Sequence, residues 1–392
     1  MSCQILTNAN VVLPHKTVHG SVIVEGDRIV EVSATRRYAD GLDLGGQFLI
    51  PGVIDIHTDY MEKELNPRPS TNFPLAMAFH FMDVRAIACG LTTVLGAARV
   101  SNDEEQEGRV GTWRGDGLKL AKAYRELTST ALARHLIHLR WNPNFEPVDQ
   151  ILDEILGLES IGNLVYNDAV PGERQFRQVN EERIRAFAVR QNLPITHARV
   201  QWEARREALR RINTRQKVKA ALAGRIPLGS HDDTTVEQVE EAHQAGATLS
   251  EMPCTIEAAR RAKALGMMVC MGAPNYFRGG SHCGNLSCPE AMAEGLVDIL
   301  CSDFHFPSML GSAVKMMADG MTPSAAINLM SLNAARYLRR DDELGSIEAG
   351  KKADLVAFSP RDSFAVVSNV WVDGMVRLQA GVKSRTPETC LA

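Results

Sequence analysis

The chain has 392 residues, 45% of them hydrophobic and 23% charged, with a formal net charge of −4. That is enough for a large core, either one αβ barrel with an appendage or two to three ordinary domains. The balance is that of a soluble globular protein and gives no global push toward nucleic acid or a membrane surface.

The start, Met-Ser-Cys-Gln-Ile-Leu, lacks the basic and long apolar regions of a secretory leader, and no apolar stretch is long enough to span a bilayer. Eight scattered cysteines form no CxxC pair. A cytoplasmic protein with reduced thiols, no nucleic-acid partner and no membrane partner is expected. A homo-oligomeric state is left open.

Residues 4–50 read as short strands, at Ile5 to Val12, Ser21 to Val24 and Arg28 to Val32, with Glu25-Gly26-Asp27 as a hairpin turn. Phe48-Leu49-Ile50 leads into Pro51-Gly52 and a short apolar run, Val53 to Ile56, that ends in His57-Thr58-Asp59. On a strand, His57 and Asp59 project the same way, as half of a divalent-metal site or as a buried hydrogen-bonded pair. Glu62, Lys63 and Arg68 follow in what reads as a loop stiffened by Pro67 and Pro69.

From residue 53 strand and helix patterns alternate. Strands are expected near 53–57, 91–95, 135–139, 163–167, 226–230, 247–251, 267–271 and 297–302, with helices such as Pro74 to Cys89 and Val236 to Ala245 between them. Eight such units suggest a closed parallel (β/α)8 TIM-like barrel over 51–344. A doubly wound open sheet is the alternative, but no G-x-G-x-x-G follows the first strand. A helical insertion near 173–222 carries Arg205, Arg206, Arg210, Arg211, Arg215, Lys217 and Lys219. It is either a solvated face or a collar that draws in an anion. Thr322-Pro323 caps a helix expected to run through Leu338. Strand patterns return over Val366 to Leu378, with a turn at Asp373-Gly374. Residues 1–50 and 345–392 are expected to pair as one small β-sandwich.

Barrel chemistry sits at the carboxyl ends of the strands. There the sequence places His57 and Asp59, His138 and Arg140, Asn167 and Asp168, His231, Glu251, and Asp303. A lone histidine such as His138 reads as a core residue. Two imidazoles and two carboxylates, His57, Asp59, His231 and Asp303, make a divalent-metal cage. Asp168 and Glu251 complete a second metal position or orient the histidines. Arg68, Arg140, Arg174 and Arg278 recur at the same rim, as surface residues or as the grip on a phosphorylated substrate.

The entry Phe48-Leu-Ile-Pro-Gly-Val-Ile-Asp-Ile-His57, the strand-end set and Gly345-Ser-Ile-Glu-Ala-Gly-Lys-Lys-Ala-Asp-Leu355 resemble the amidohydrolase superfamily over nearly the whole chain. Within it, His57-Thr-Asp59, Pro67-Arg-Pro69, Pro171-Gly-Glu-Arg-Gln-Phe176, Ser230-His-Asp-Asp-Thr-Thr235, Arg278-Gly-Gly-Ser-His282 and Ser302-Asp303 resemble the diphosphatases of phosphonate breakdown that act on a sugar 5-triphosphate. The resemblance implies hydrolysis of a phosphoric anhydride, with pyrophosphate released and a 5-phosphate left on the sugar. It implies one or two divalent ions held by His57, Asp59, Asp168, His231, Glu251 and Asp303. Asp303, as base, and His231 are the catalytic residues it points to. Lys63, Arg68, Arg174, Arg278 and His282 are the expected contacts to a small phosphorylated sugar. The chain departs from the superfamily pattern in three places: Asp59 replaces a second histidine, no lysine ends the fourth strand, and Glu251 replaces the sixth-strand histidine. The oxygen-rich set admits zinc, manganese or magnesium. A deacetylase or cyclic-amide hydrolase on the same frame is the alternative.

Overall fold

The computed structural model describes residues 3–34, 38–68, 71–100, 123–144, 149–168, 170, 174 and 180–381. Pro69, the Pro171–Phe176 motif apart from Arg174, and the tail from 382 lie outside the described residues.

The N-terminal strands are β1 (Cys3–Val12), β2 (Thr17–Glu25), β3 (Arg28–Ser33), β4 (Leu42–Asp43) and β5 (Phe48–Pro51). The next eight are β6 (Val53–Thr58), β7 (Leu91–Val100), β8 (Arg134–Trp141), β9 (Ile161–Tyr166), β10 (Leu228–His231), β11 (Leu249–Glu251), β12 (Met268–Gly272) and β13 (Ile299–Cys301). They pair in parallel in strict sequence order. Every residue of β6 and β9 is buried, as a parallel sheet covered on both faces requires. Ile56, Leu95, Leu136, Leu249, Cys270 and Ile299 fill the barrel interior, while Ile137, Leu139 and Trp141 of β8 face the helices outside.

No continuous ladder joins β13 to β6. The seam closes at its upper end, where Asp303 N–H donates to the His57 carbonyl (3.1 Å) and Asp59 N–H donates to the Asp303 carbonyl (2.6 Å). At its lower end the carbonyls of Leu329 and Met330 accept from Leu300 and Ile54. This explains a difference from the sequence expectation. The helix opened by Thr322 stops at Asn328 and restarts at Leu332, because the carbonyls between serve the barrel seam. The Thr322 hydroxyl does cap it, accepting from Ala325 N–H.

The chain ends supply β14 (Leu355–Arg361), β15 (Phe364–Val372) and β16 (Met375–Gln379). They join the N-terminal strands in a separate sheet ordered β16-β15-β14-β5-β1-β2-β3, over a core that includes Leu6, Val22, Leu49, Leu355 and Trp371. Arg134, at the foot of β8, pairs with Asp354 (2.6 Å) and Asp373 (2.8 Å), fastening this sheet to the barrel.

Tyr60–Leu65 is a helix, α1, rather than the loop expected. Met61 and Leu65 stack four residues apart on its buried face, which suffices to wind the chain. The insertion forms helices over Asn180–Arg190, Ile195–Arg210 and Arg215–Leu222. Its outer arginines pair with glutamates nearby, Arg199 with Glu181 and Arg206 with Glu203, as on a solvated face. Among the described residues, no helix is long and apolar enough to cross a membrane.

Candidate active site

Four strands, β6, β8, β10 and β11, bring side chains to one buried point. From β6, His57 Nδ1 lies 2.9 Å from Glu251 Oε2; from β10, His231 Nδ1 lies 2.8 Å from the same oxygen. From β8, His138 Nε2 lies 3.4 Å away, its ring 4.5 Å from that of His57. All four side chains are buried. Burial alone would raise the Glu251 carboxyl, yet His57, His138 and the His231 hydrogen bond hold it well below the usual range. Burial would lower His231, but Asp232 and Glu251 lift it to about 9. Burial pushes His138 down to about 3, leaving it neutral.

Above this point sit Asp59, Asp232 and Asp303. Asp59 Oδ1 lies 3.8 Å from His57 Nε2, and Asp232 Oδ2 lies 3.1 Å from His231 Nε2. Arg140 Nη2 approaches His57 Nε2 (2.5 Å) and Asp59 Oδ2 (3.5 Å). Burial raises the Asp59 carboxyl, but Arg140 and His57 outweigh it and leave it lowered. Burial raises Asp303, aided by the Asp59 charge and opposed by His57 and Arg140. Asp232, Met252 and Asp303, each just past a strand end, hold positive φ of 58°, 52° and 53°. Such backbone costs free energy and gathers where a site fixes side-chain direction.

The donor set fits a divalent cation. His57, Asp59 and Asp303 form one group within ligand reach, and His57, His231 and Glu251 form another. His57 Nδ1, both nitrogens of His138 and Glu251 Oε1 are buried without a hydrogen-bond partner. Imidazole and carboxylate atoms left unsatisfied at one point suit zinc, and manganese as well.

The structure thus brings together His57, Asp59, His231, Glu251 and Asp303. It does not bring Asp168 to them. Asp168 follows β9, and its oxygens take Arg174 Nε (2.5 Å) and Arg215 Nη2 (2.5 Å). Arg174, expected to contact phosphate, is 4% exposed and bound to Asp168, Asp233 and the His231 carbonyl. Two nearby carboxylates satisfy it, so it has no free face for substrate.

Lys63, Arg68, Arg278 and His282 line the cavity of about 890 Å³ that opens over Asp59, His231 and Asp303. Lys63 Nζ donates to the Phe304 carbonyl (2.5 Å) beside the Tyr60 and Phe304 rings. No carboxylate among the described residues pairs with Arg68 or Arg278. Met252, Pro253, Met271 and Pro274 add apolar surface to the same cavity.

His138 was passed over in the sequence as a lone core histidine. The two-residue repeat held the signal: Leu136, His138 and Arg140 share the inward face of β8. Asp55 was also missed. It lies buried beneath His57, accepts Ser302 N–H (2.9 Å) and is pushed up to about 6 by burial.

Residues 178–378 match the sequence profile of the Amidohydrolase family. The chain is 33% identical to the alpha-D-ribose 1-methylphosphonate 5-triphosphate diphosphatase of Escherichia coli (strain K12), over 94% of this chain and 99% of that one.

The chain belongs to the amidohydrolase family.

Solved structures share its fold. Dihydropyrimidinase from Brevibacillus agri superposes with a TM-score of 0.62 at 15% identity, over 96% of this chain and 95% of that one. N-acetylglucosamine-6-phosphate deacetylase from Pasteurella multocida superposes with a TM-score of 0.61 at 14% identity, over 95% and 99%. At such identities the likeness concerns the fold alone. It matches the barrel with its separate terminal sheet.

Proposed function

We propose that this amidohydrolase is a metal-dependent diphosphatase. It cleaves α-D-ribose 1-methylphosphonate 5-triphosphate to the 5-phosphate and pyrophosphate, a step in phosphonate breakdown. The observation that carries the reading is the sharing of one cavity by a cation-ready cage and a cationic wall. The relative from Escherichia coli, alike over almost its full length, supports the substrate assignment.

His57, His231 and Glu251 would hold an ion at the buried point, with Asp59 and Asp303 toward the cavity. A divalent ion held there would acidify water and polarise a phosphoryl oxygen. Lys63, Arg68, Arg278 and His282 bind the terminal phosphates and set the chain of phosphorus atoms across the cage. Asp303 accepts the proton of the attacking water; its burial raises the carboxyl toward the working pH, which suits a base. The new bond joins the water oxygen to the α-phosphorus. The bond that breaks is the anhydride to the β-phosphorus, and pyrophosphate leaves into the cationic wall. Asp303 then returns its proton to solvent.

The rival reading is C–N bond hydrolysis, the chemistry named for the dihydropyrimidinase and deacetylase neighbours. A neutral cyclic amide has no use for the cations of this wall, whereas an amide that carries a phosphate, as named for the deacetylase, does. A direct comparison decides: pyrophosphate release from sugar and nucleoside 5-triphosphates beside ammonia, acetate or ring-opening from amide substrates. Amide turnover without pyrophosphate release would reverse the assignment.

A further inference from the structure

A buried chain of alternating charge runs beside the cage. Arg215, on the helix Arg215–Leu222, donates to Asp168 Oδ1 (2.5 Å). Arg174 Nε donates to the other oxygen of Asp168 (2.5 Å), and its Nη2 lies against the same atom. Arg174 Nη1 then reaches Asp233 Oδ1 (2.6 Å) and the backbone carbonyl of His231 (2.9 Å). The second oxygen of Asp233 accepts the hydroxyls of Ser230 and Ser250 (3.2 Å to Ser250), from the adjacent strands β10 and β11. Arg174, Arg215, Asp233, Ser230 and Ser250 are buried, and the Asp168 side chain is 9% exposed.

None of these residues is among those that line the cavity. The end point of the charge chain is specific, however. One guanidinium nitrogen bridges the carbonyl of His231 and the side chain two residues on. Asp232, held between them, has a φ of 58°. His231 sends its ring the other way, to Glu251.

We propose that Arg174 is a positioning residue, which fixes the backbone of His231 and thereby aims its imidazole at the cation point shared with His57 and Glu251. The planar fork matters more than the charge. One rigid group makes bonds on two sides, to Asp168 and to the His231–Asp233 turn, which a lysine ammonium cannot reproduce. Through Asp168 and Arg215 the same chain ties the helical insertion to the cage. The assignment rests on the metal-binding reading of the site.

The test uses full-length protein freed of metal, with zinc(II) added against a chromophoric chelator. Arg174→Ala should bind zinc about 10–100-fold more weakly than wild type, the range typical when a partner behind a metal ligand is removed. Millimolar guanidinium chloride should restore part of the affinity by refilling the cavity, whereas sodium chloride at equal ionic strength should not. Arg174→Lys should fall between, and circular dichroism with a thermal melt reports whether each variant folds. A folded Arg174→Ala with wild-type zinc affinity overturns the proposal. So does a loss that guanidinium leaves unchanged. If Arg174→Ala does not fold, Arg174→Lys decides: wild-type affinity there overturns it. Absence of zinc binding by the wild type is a separate failure, of the metal reading itself.

Discussion

Asp303→Asn separates the chemistry of the proposed base from its structural setting. The residue closes the barrel seam with backbone atoms alone. Its N–H donates to the His57 carbonyl (3.1 Å), and its carbonyl accepts from Asp59 N–H (2.6 Å) and the Thr58 hydroxyl (3.1 Å). Asparagine has the same shape and tolerates the positive φ of 53° nearly as well as aspartate. The seam should therefore survive. Burial holds the Asp303 carboxyl above its ordinary value. A raised folded pKa means the group's stabilising contribution is full below the unfolded pKa of ~3.9 and is lost as pH rises through the folded value. At neutral pH the ionised form weighs against folding, and asparagine removes that load. The metal-free variant should melt no lower than wild type at pH 7. Turnover is another matter. A positioned base contributes roughly 10²–10⁴-fold, about 3–5 kcal/mol of barrel-mouth catalysis. The assay is pyrophosphate release at saturating substrate, beside elemental analysis and melts of the metal-free protein. The variant should keep metal at His57, His231 and Glu251 while losing turnover by that factor. Wild-type turnover would refute the base assignment.

Arg278→Ala should remove a charge-assisted contact of about 1.5–3 kcal/mol and raise KM for the triphosphate roughly 10–150-fold, with Arg278→Lys recovering part; steady-state kinetics would show an unchanged KM if the residue is a bystander. Asp83→Ala should lower the melting temperature, because Leu132 N–H (2.7 Å), Ala133 N–H (3.0 Å) and His135 Nε2 (2.8 Å) lose their buried acceptor, at about 1–3 kcal/mol for each unsatisfied donor. Burial raises the Asp83 carboxyl, but those bonds outweigh it and depress it. Its stabilisation is therefore present above ~3.9 and lost as pH falls through the folded value, so the melting gap to wild type should shrink in acid. A gap that widens in acid would contradict the sign. Gly374 turns the β15–β16 hairpin at a φ of 71°, and a Cβ there would stand 2.0 Å from the Gly26 carbonyl oxygen. Gly374→Ala should cost about 1–3 kcal/mol from the backbone alone, with the overlap added; an unchanged melt would show that the two turns move apart freely.

The barrel was legible because each strand is a short apolar run bounded by turns, and all eight fall where that pattern puts them. The residues at strand ends were legible for the same reason: His57, His231 and Glu251 stand at fixed places on strands whose neighbours the topology dictates. Arg174 and Asp168 were not. They belong to the segment after β9, where no periodicity sets direction, and only coordinates reveal that they face each other and Arg215. A rim arginine in sequence looks the same whether it faces a ligand or a buried carboxylate. The Thr322 helix was misread for a different reason. Its break serves strand ends near residues 54 and 300, a long-range demand that no local pattern carries. His138 lay within reach, since it shares its face with Leu136 and Arg140, but an isolated histidine gives no local sign of the glutamate it meets from β11.

The central claim is that one cation, gripped by His57, His231 and Glu251, works beneath the cationic wall. It is tested most directly by metal content and pyrophosphate release measured on the same preparations of wild type and Glu251→Gln. The wild type should carry at least one divalent ion per chain and lose its activity on chelation, and Glu251→Gln should be depleted of both ion and activity. A metal-free wild type that still releases pyrophosphate at full rate would contradict the account.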